Sequence, residues 1–439
     1  GRLNLQTYDK DFTEQQYRYG SGNALRENGT MTAEGYRQEQ DNGANLAQAD
    51  LRFNFRTGNV QHTLLAAADA TIDNRVRNIT YVAPPETQVI NGTTVFRRPT
   101  YVIDPWNPVW PQIPESSLSQ VFQDSDRSVN NYGGFLGHRM FLLQNRLITL
   151  AGLRYNRVEN KRLKTLSATA VTSANNHTPR ITEMDGSGSS DDALTYTLGA
   201  NFKIAGDSLV AFVNHSTGFE PTVAIDAGTL AVVPNESSRG VDLGFKGAMF
   251  GDSLLWTASV FEIYKEDVAI SNPAYDGTAL PGVPQFLLGG EEHAEGVELD
   301  FRWNVNRNLY FQVGGAYIDA EVTQPVSARD WKTKSPQHSA YAATRYVFRD
   351  GLLKGWKIGA SATYTGEYLY NAGTATRFRQ VHPDVTLYNA FIGYSWRTGE
   401  KWRHSAQLNA QNLTDEYYLQ DTYRLARGRE VRLTYTISY

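Results

Sequence analysis

At 439 residues the chain could hold roughly three average domains or one very large β architecture. A net charge of −4 gives no electrostatic reason to expect a nucleic-acid partner, and the absence of cysteine removes disulfides, thiol nucleophiles and thiolate metal sites. The mean hydropathy of −0.46 looks soluble, but a wall with one greasy and one wet face averages to the same figure. No apolar run reaches the ~18 residues of a transmembrane helix.

The first residues, Gly1-Arg2-Leu3-Asn4-Leu5, read as strand and not as a secretory signal, so the start is a mature end or a cut. After a tight turn at residues 56–59, the segment 60–82 runs without Gly or Pro. At ~3.3 Å per residue and ~45° tilt it would climb about 50 Å, around twice a ~25 Å apolar band. Further tight turns carrying Gly, Asn or Asp fall at residues 143–145, 205–207, 250–252, 304–308 and 397–400, and a slightly longer one begins at 349–351. Long polar connections lie near 83–117, 160–191, 218–235, 271–290, 321–335, 367–383 and 414–427.

Between them run two-sided strands. Leu309, Phe311, Val313, Gly315 and Tyr317 alternate with Tyr310, Gln312, Gly314 and Ala316. Trp356, Ile358, Ala360, Ala362 and Tyr364 alternate with Lys357, Gly359, Ser361, Thr363 and Thr365. Trp402, His404, Ala406, Leu408 and Ala410 do the same against Arg403, Ser405, Gln407, Asn409 and Gln411. The chain ends on Val431, Leu433, Tyr435, Ile437 and Tyr439, set against Arg432, Thr434, Thr436 and Ser438. Period alone does not separate a soluble sandwich from a membrane barrel. Connections sorted short, long, short, long do, because they mark an up-and-down outer-membrane barrel. Tyr155, Tyr317, Tyr346, Tyr364, Tyr394, Trp396 and Tyr439 at strand ends suit interfacial girdles. The expected fold is therefore all-β: a transmembrane antiparallel up-and-down β-barrel with about 17 strands present. An odd count cannot leave both ends of a closed barrel on one side, so the reading expects strands to be missing.

Several segments, taken in order, resemble the barrel of a TonB-dependent outer-membrane receptor. They are LITLAGLRYN (147–156), VAFVNHSTGFEPT (210–222), PNESSRGVDLGFKG (234–247), HAEGVELDF (293–301), SPQHSAYAATRYVF (335–348) and QNLTDEYYLQ (411–420). The resemblance runs over nearly the whole chain. It implies a 22-stranded wall of which residues 1–439 are an incomplete part, with an N-terminal plug domain and the first strands absent. It also implies that the barrel assembly machinery reads the last strand, through Val431, Leu433, Tyr435, Ile437 and Tyr439, as an insertion signal. Implied partners are the energy-transducing protein TonB, engaged through the missing N-terminal region, and outer-membrane lipids. The implied location is the outer membrane of a Gram-negative-type bacterium.

The loop at 83–117 holds seven prolines and two tryptophans. Proline stiffens a loop and lowers the entropy lost on ordering. Its DPWNPVW core (104–110) resembles a loop of siderophore receptors, so Arg97, Arg98, Tyr101, Trp106 and Trp110 are candidate contacts for an anionic, aromatic ferric siderophore. Packing of the loop onto its neighbours is the competing reading. A second set is Tyr368, Tyr370, Arg377 and Arg379, then Tyr423, Arg424 and Arg427, set against plain solvation. Arg154 and Arg239 are expected to face the lumen as wall electrostatics or plug contacts. None of the eight histidines pairs at metal-ligand spacing, so no protein-ligated metal and no cofactor are expected. Asp124-Ser125-Asp126 lacks the Gly and Glu of a calcium loop and reads as a solvated strand end. Residues 186–190, GSGSS, read as a flexible loop.

The leading functional expectation is TonB-coupled import of a metal chelate, a ferric siderophore ahead of cobalamin or oligosaccharide. The alternative is a plug-free passive pore or surface-binding barrel. An outer-membrane enzyme would need a Ser/His/acid set on neighbouring strand ends, and no spacing suggests one.

Overall fold

The computed structural model describes residues 1–19, 30–84, 86–90, 93–104, 109, 111–168, 181–222, 224–226, 228–272, 274, 283–325, 330–332, 334–371, 380–421 and 424–438. Sixteen long strands form the wall. They are β1 (Arg2–Tyr19), β2 (Met31–Thr57), β3 (Val60–Val82), β4 (Gln120–Leu142), β5 (Leu147–Ala168), β6 (Ser190–Lys203), β7 (Val210–Glu220) and β8 (Glu236–Met249). The second half is β9 (Leu254–Ser271), β10 (Phe286–Asn304), β11 (Leu309–Gln324), β12 (His338–Val347), β13 (Trp356–Thr365), β14 (Val385–Thr398), β15 (Trp402–Gln411) and β16 (Glu430–Ser438). Each pairs antiparallel with the next, the meander expected of an up-and-down wall. The number agrees with the expected count to within one. Because sixteen is even, the parity argument for missing strands loses its premise. Among the described residues, β1 pairs only with β2 as a wall neighbour and β16 only with β15, so the sheet has two open edges.

The turn-side ends stay in register from β2 to β6: Thr57 pairs with Val60, Gln61 with Phe141, and Leu147 with both Leu142 and Phe202.

One face of the wall is apolar and fully open. Leu51, Phe53 and Phe55 on β2, Val297, Leu299 and Phe301 on β10, and Val431, Leu433, Tyr435 and Ile437 on β16 are all exposed. In water such a surface would drive aggregation; against hydrocarbon it is the expected finish. Aromatic belts border it. Toward the short turns, Trp356 lies 5.1 Å from Tyr394, which stacks on Trp396 at 5.5 Å, and Trp396 stacks on His404 at 5.1 Å. Toward the long loops, Tyr196 stacks on His215, Tyr264 on His293, and Tyr317 lies against His338. His293 and Trp303 on β10 sit at the two belts, ten residues apart, or about 33 Å along the strand, enough to cross a ~25 Å apolar band at the ~45° tilt usual for such strands.

The short turns use left-handed residues: Gly58 (φ 59°), Leu143-Gln144-Asn145 (φ 52°, 56°, 68°) and Phe250-Gly251-Asp252 (φ 54°, 64°, 65°). No packed core lies between these turns and the belts. Of the fourteen buried hydrophobic residues described, all but Val210 lie in the half toward the long loops. One three-residue 3-10 turn (Glu115–Ser117) is present, and no described helix is long and apolar enough to cross a membrane.

Candidate functional site at the long-loop mouth

The wall supplies a polar lumen before it supplies a mouth. Arg154 on β5 reaches across β4 to grip Asp69 on β3 with two hydrogen bonds of 2.8 and 2.9 Å. Gly133 on the intervening strand makes this possible, since a Cβ there would stand 2.1 Å from Arg154 Nη2. Tyr341 lies across Gly314 in the same manner and donates to Asp300 Oδ2 at 2.5 Å. Long side chains thus lie flat in glycine gaps instead of obstructing the bore. Arg154 faces the lumen as expected, but Arg239 does not. It shares the face of Val241, Leu243 and Phe245, lies 5.1 Å over the Tyr264 ring and pairs with Glu266 at 3.3 Å. Its charge is tolerated outside because it stands beyond the apolar band.

The proline-rich connection is anchored and not a free flap. Tyr101–Ile103 pairs with the first three residues of β2, Ile103, Ile113 and Leu118 are buried, and Gln15 Nε2 donates to Ile113 O at 2.9 Å. Arg37 on β2 meets Glu115 at 3.0 Å. Arg98 is already engaged, 3.3 Å from Glu34 and 4.8 Å over the Phe122 ring. Tyr101 is half-buried opposite Ala33. The side chain of Arg97 and all of Trp106 and Trp110 lie outside the described residues.

In the second set, Tyr368 stacks on His382 (4.7 Å, 6°), which meets Tyr418 edge-on at 6.5 Å. Leu369 between the two tyrosines is 0% exposed, and its carbonyl accepts from Lys334 N at 2.8 Å, so Tyr368 and Tyr370 stand in a braced hairpin. Arg427 is the open member: its side chain is 86% exposed and only 3.4 Å from Glu430. Asn412 closes that last loop from within, accepting from Glu416 N at 2.8 Å and donating to Glu416 O at 2.9 Å. Arg377, Arg379 and Tyr423, the side chain of Arg424, and Tyr439 lie outside the described residues.

Sequence reasoning missed the residue that organises the middle of the mouth. Asp226 is 3% exposed. Its Oδ1 accepts from the N–H of Gly228 (2.9 Å), Thr229 (2.8 Å) and Gln285 (3.1 Å), and its Oδ2 from Phe286 N (3.0 Å). The connections β7–β8 and β9–β10 are thereby stitched together. Burial pushes this carboxyl up, but the Phe286, Gln285 and Thr229 N–H groups outweigh it and hold it below the usual range. Neighbouring Ile225 and Val232 pack onto Leu163 and Met184, which seats the β7–β8 connection against β5. The GSGSS stretch is clamped there and not flexible: Gly186 N donates to Leu163 O at 2.8 Å, Gly188 N to Asn160 O at 2.7 Å, and Asn160 N to Ser189 O at 2.8 Å. The run Asp226-Ala227-Gly228-Thr229 carries an Asx-turn signature that points to the local half of this arrangement.

Every described histidine lies within 5.5 Å of another ring. Asp124 and Asp126 pair with Arg77 and Arg162. A braced rim over a polar bore has the form of a surface that captures a ligand.

The sequence profile of the family described as TonB dependent receptor-like, beta-barrel matches residues 1–413. The chain belongs to this family. As a TonB-dependent receptor barrel it is 26% identical over 432 residues to the metal-pseudopaline receptor CntO of Pseudomonas aeruginosa, covering 94% of this chain and 54% of that protein. It is 24% identical over 216 residues to the ferrioxamine B receptor of Salmonella typhimurium, covering 48% of this chain and 29% of that one. The chain thus spans about half or less of the curated relatives it matches. Its fold is that of the ferric-catecholate import receptor Fiu of E. coli, closed form (TM-score 0.71, 15% identity, 99% of this chain and 60% of that chain). It is also that of Pseudomonas aeruginosa FpvA in complex with a heterologous ferric pyoverdine (TM-score 0.70, 15% identity, 99% and 53%). The two curated relatives are, by name, receptors for metal-pseudopaline and for ferrioxamine B, and the matched family is one of receptor β-barrels.

Proposed function

We propose that this chain is the wall of an outer-membrane importer for a metal chelate, most directly a ferric siderophore, driven through TonB. The observation that carries the reading is the profile match together with a metal-pseudopaline receptor aligned along 94% of the chain. The plug and the first wall strands would precede residue 1, consistent with a chain about half as long as that relative. TonB would act on that plug, and the terminal strand β16 would serve the assembly machinery.

The rim suits capture. Cargo would be held by Arg98, which must exchange Glu34 for an anionic ligand, by the open cation Arg427, and by the aromatic faces at Tyr101, Tyr368 and Tyr370. A rigid wall with braced loops limits the entropy lost on binding.

The test is uptake by iron-limited cells expressing only this receptor, supplied with 55Fe chelates of the catecholate, hydroxamate and mixed pyoverdine classes. Saturable uptake of one class, abolished when TonB is deleted, is the expected result. Uptake that survives TonB deletion and scales with conductance in planar bilayers would replace the reading with a passive pore. The aligned metal-pseudopaline receptor favours a second reading of the cargo, in which the metal is not restricted to iron. Parallel uptake of 63Ni, 57Co and 65Zn chelates decides between the two.

A further inference from the structure

On the lipid side of the wall, away from the lumen and mouth, three potential metal ligands converge. Glu262 on β9 stands directly opposite Glu295 on β10, and Tyr264 stands opposite His293. One ligand atom from each of Glu262, His293 and Glu295 lies within 4.8 Å of the others. The imidazole is fixed in place: its ring stacks on Tyr264 at 4.5 Å, and its Nε2 lies 3.2 Å from Glu262 Oε1, which also accepts from Tyr264 Oη at 2.6 Å.

This arrangement has an electrostatic cost that the surrounding side chains meet only in part, at Glu262. Glu295 is also directly opposite Asp319 on β11, so three carboxylates form one cross-strand row, Glu262–Glu295–Asp319. Like charges directly opposite each other destabilise a sheet. The row stands two residues along the strands from exposed Val260 and Val297, at the margin of the apolar band, where a charged group and a bound ion are both within reach of headgroups and water. Arg239 is the nearby cation, and it is held by Glu266 and the Tyr264 ring. Among the described residues, Glu295 and Asp319 make no ion pair. Two other belt histidines, His215 and His338, lie against tyrosines without hydrogen-bonding to a carboxylate.

We propose that Glu262, His293 and Glu295 bind a divalent transition-metal ion of the Zn2+ class. An imidazole nitrogen and two carboxylate oxygens are ordinary ligands for such an ion, and three protein ligands leave a position open to water or to a headgroup oxygen. The ion offsets two of the three negative charges in the row at the margin of the band. The ligands come from two strands, 31 residues apart between Glu262 and His293, so no sequence spacing displays them.

The test uses the intact receptor purified in detergent and stripped with EDTA. It is titrated with ZnCl2 by calorimetry and with CoCl2 by visible absorption, which reports the ligand set directly. One ion per chain is expected. His293→Gln and the isosteric Glu295→Gln should each weaken binding by about tenfold or more, and His215→Gln should leave it unchanged. Heat-modifiable mobility on gels verifies that each variant remains a folded barrel. Absence of binding, or binding that neither substitution weakens, overturns the proposal.

Discussion

The half of the wall toward the short turns and the half toward the long loops obey different rules. Toward the turns, strands pair without register shifts, faces alternate strictly, and the hairpins close on a few left-handed residues. Toward the loops, bulges interrupt the pairing between Thr71 and Asn74, Ser128 and Val129, and Lys265 and Val268, and nearly all buried side chains gather there. The first half is held by a repeating local pattern that works against hydrocarbon. The second is held by individual contacts between residues distant in sequence. A fault in the first should therefore act on the whole barrel, and a fault in the second should stay local.

The largest effect is expected from charge on the lipid side of the regular half. Leu433 is 70% exposed on the apolar face of β16, and its neighbour Thr434 points to the lumen. Leu433→Arg should cost ~2–4 kcal/mol of folding stability in lipid, and Thr434→Arg well under that. Urea titration of the barrel refolded into vesicles, read by gel mobility, compares the two. Equal costs would erase the distinction between the faces.

Next comes Asp226, whose loss should stay at the mouth. Asp226→Asn weakens an acceptor serving four backbone N–H groups, a local cost of about 1–3 kcal/mol. Hydrogen exchange at Gly228, Thr229, Gln285 and Phe286 should speed by roughly 5- to 150-fold for that range, while β6–β8 exchange as before. The pH dependence has a fixed sign. A carboxyl held below its usual range stabilises fully above about pH 4, and the protection is lost as pH falls through the depressed folded value. Protection that instead declined as pH rose from 5 to 8 would contradict the role given to Asp226.

This division also decides what could be read from the sequence. The alternation of Trp402 to Gln411 and of Val431 to Ser438 states both faces of β15 and β16 directly, because a strand's period is local. Parity also places Arg239 outside with Val241, Leu243 and Phe245, against the expected lumenal position. The Asx turn at Asp226 was legible, but its reach to Gln285 and Phe286, about sixty residues on, was not. The engagement of Arg98 by Glu34 depends in the same way on where a long loop settles.

A smaller effect is expected where the two halves meet. Gly133→Ala places a Cβ against Arg154 Nη2 and Asp69 Oδ2, so the guanidinium must swing away and the pair is lost. Both partners are about one-third exposed, and the cost should be about 1 kcal/mol. In an Arg154→Ala background the same substitution should be nearly neutral. A cost that persisted there would mean that Gly133 is needed for the backbone and not for the arginine.

The smallest effect belongs to Arg427. A guanidinium 86% exposed and 3.4 Å from Glu430 contributes at most about 0.5 kcal/mol, so Arg427→Ala should leave the unfolding midpoint where it was. That neutrality makes the position a clean probe of the mouth. If the residue touches an anionic chelate, the substitution should weaken saturable uptake severalfold at unchanged stability, and Arg427→Lys should restore part of it, because a point charge keeps the attraction but loses the fork. Uptake equal to that of the unaltered receptor would remove Arg427 from the capture surface. Arg98 would then be the described arginine left to answer the ligand's charge, and it could do so only by giving up Glu34.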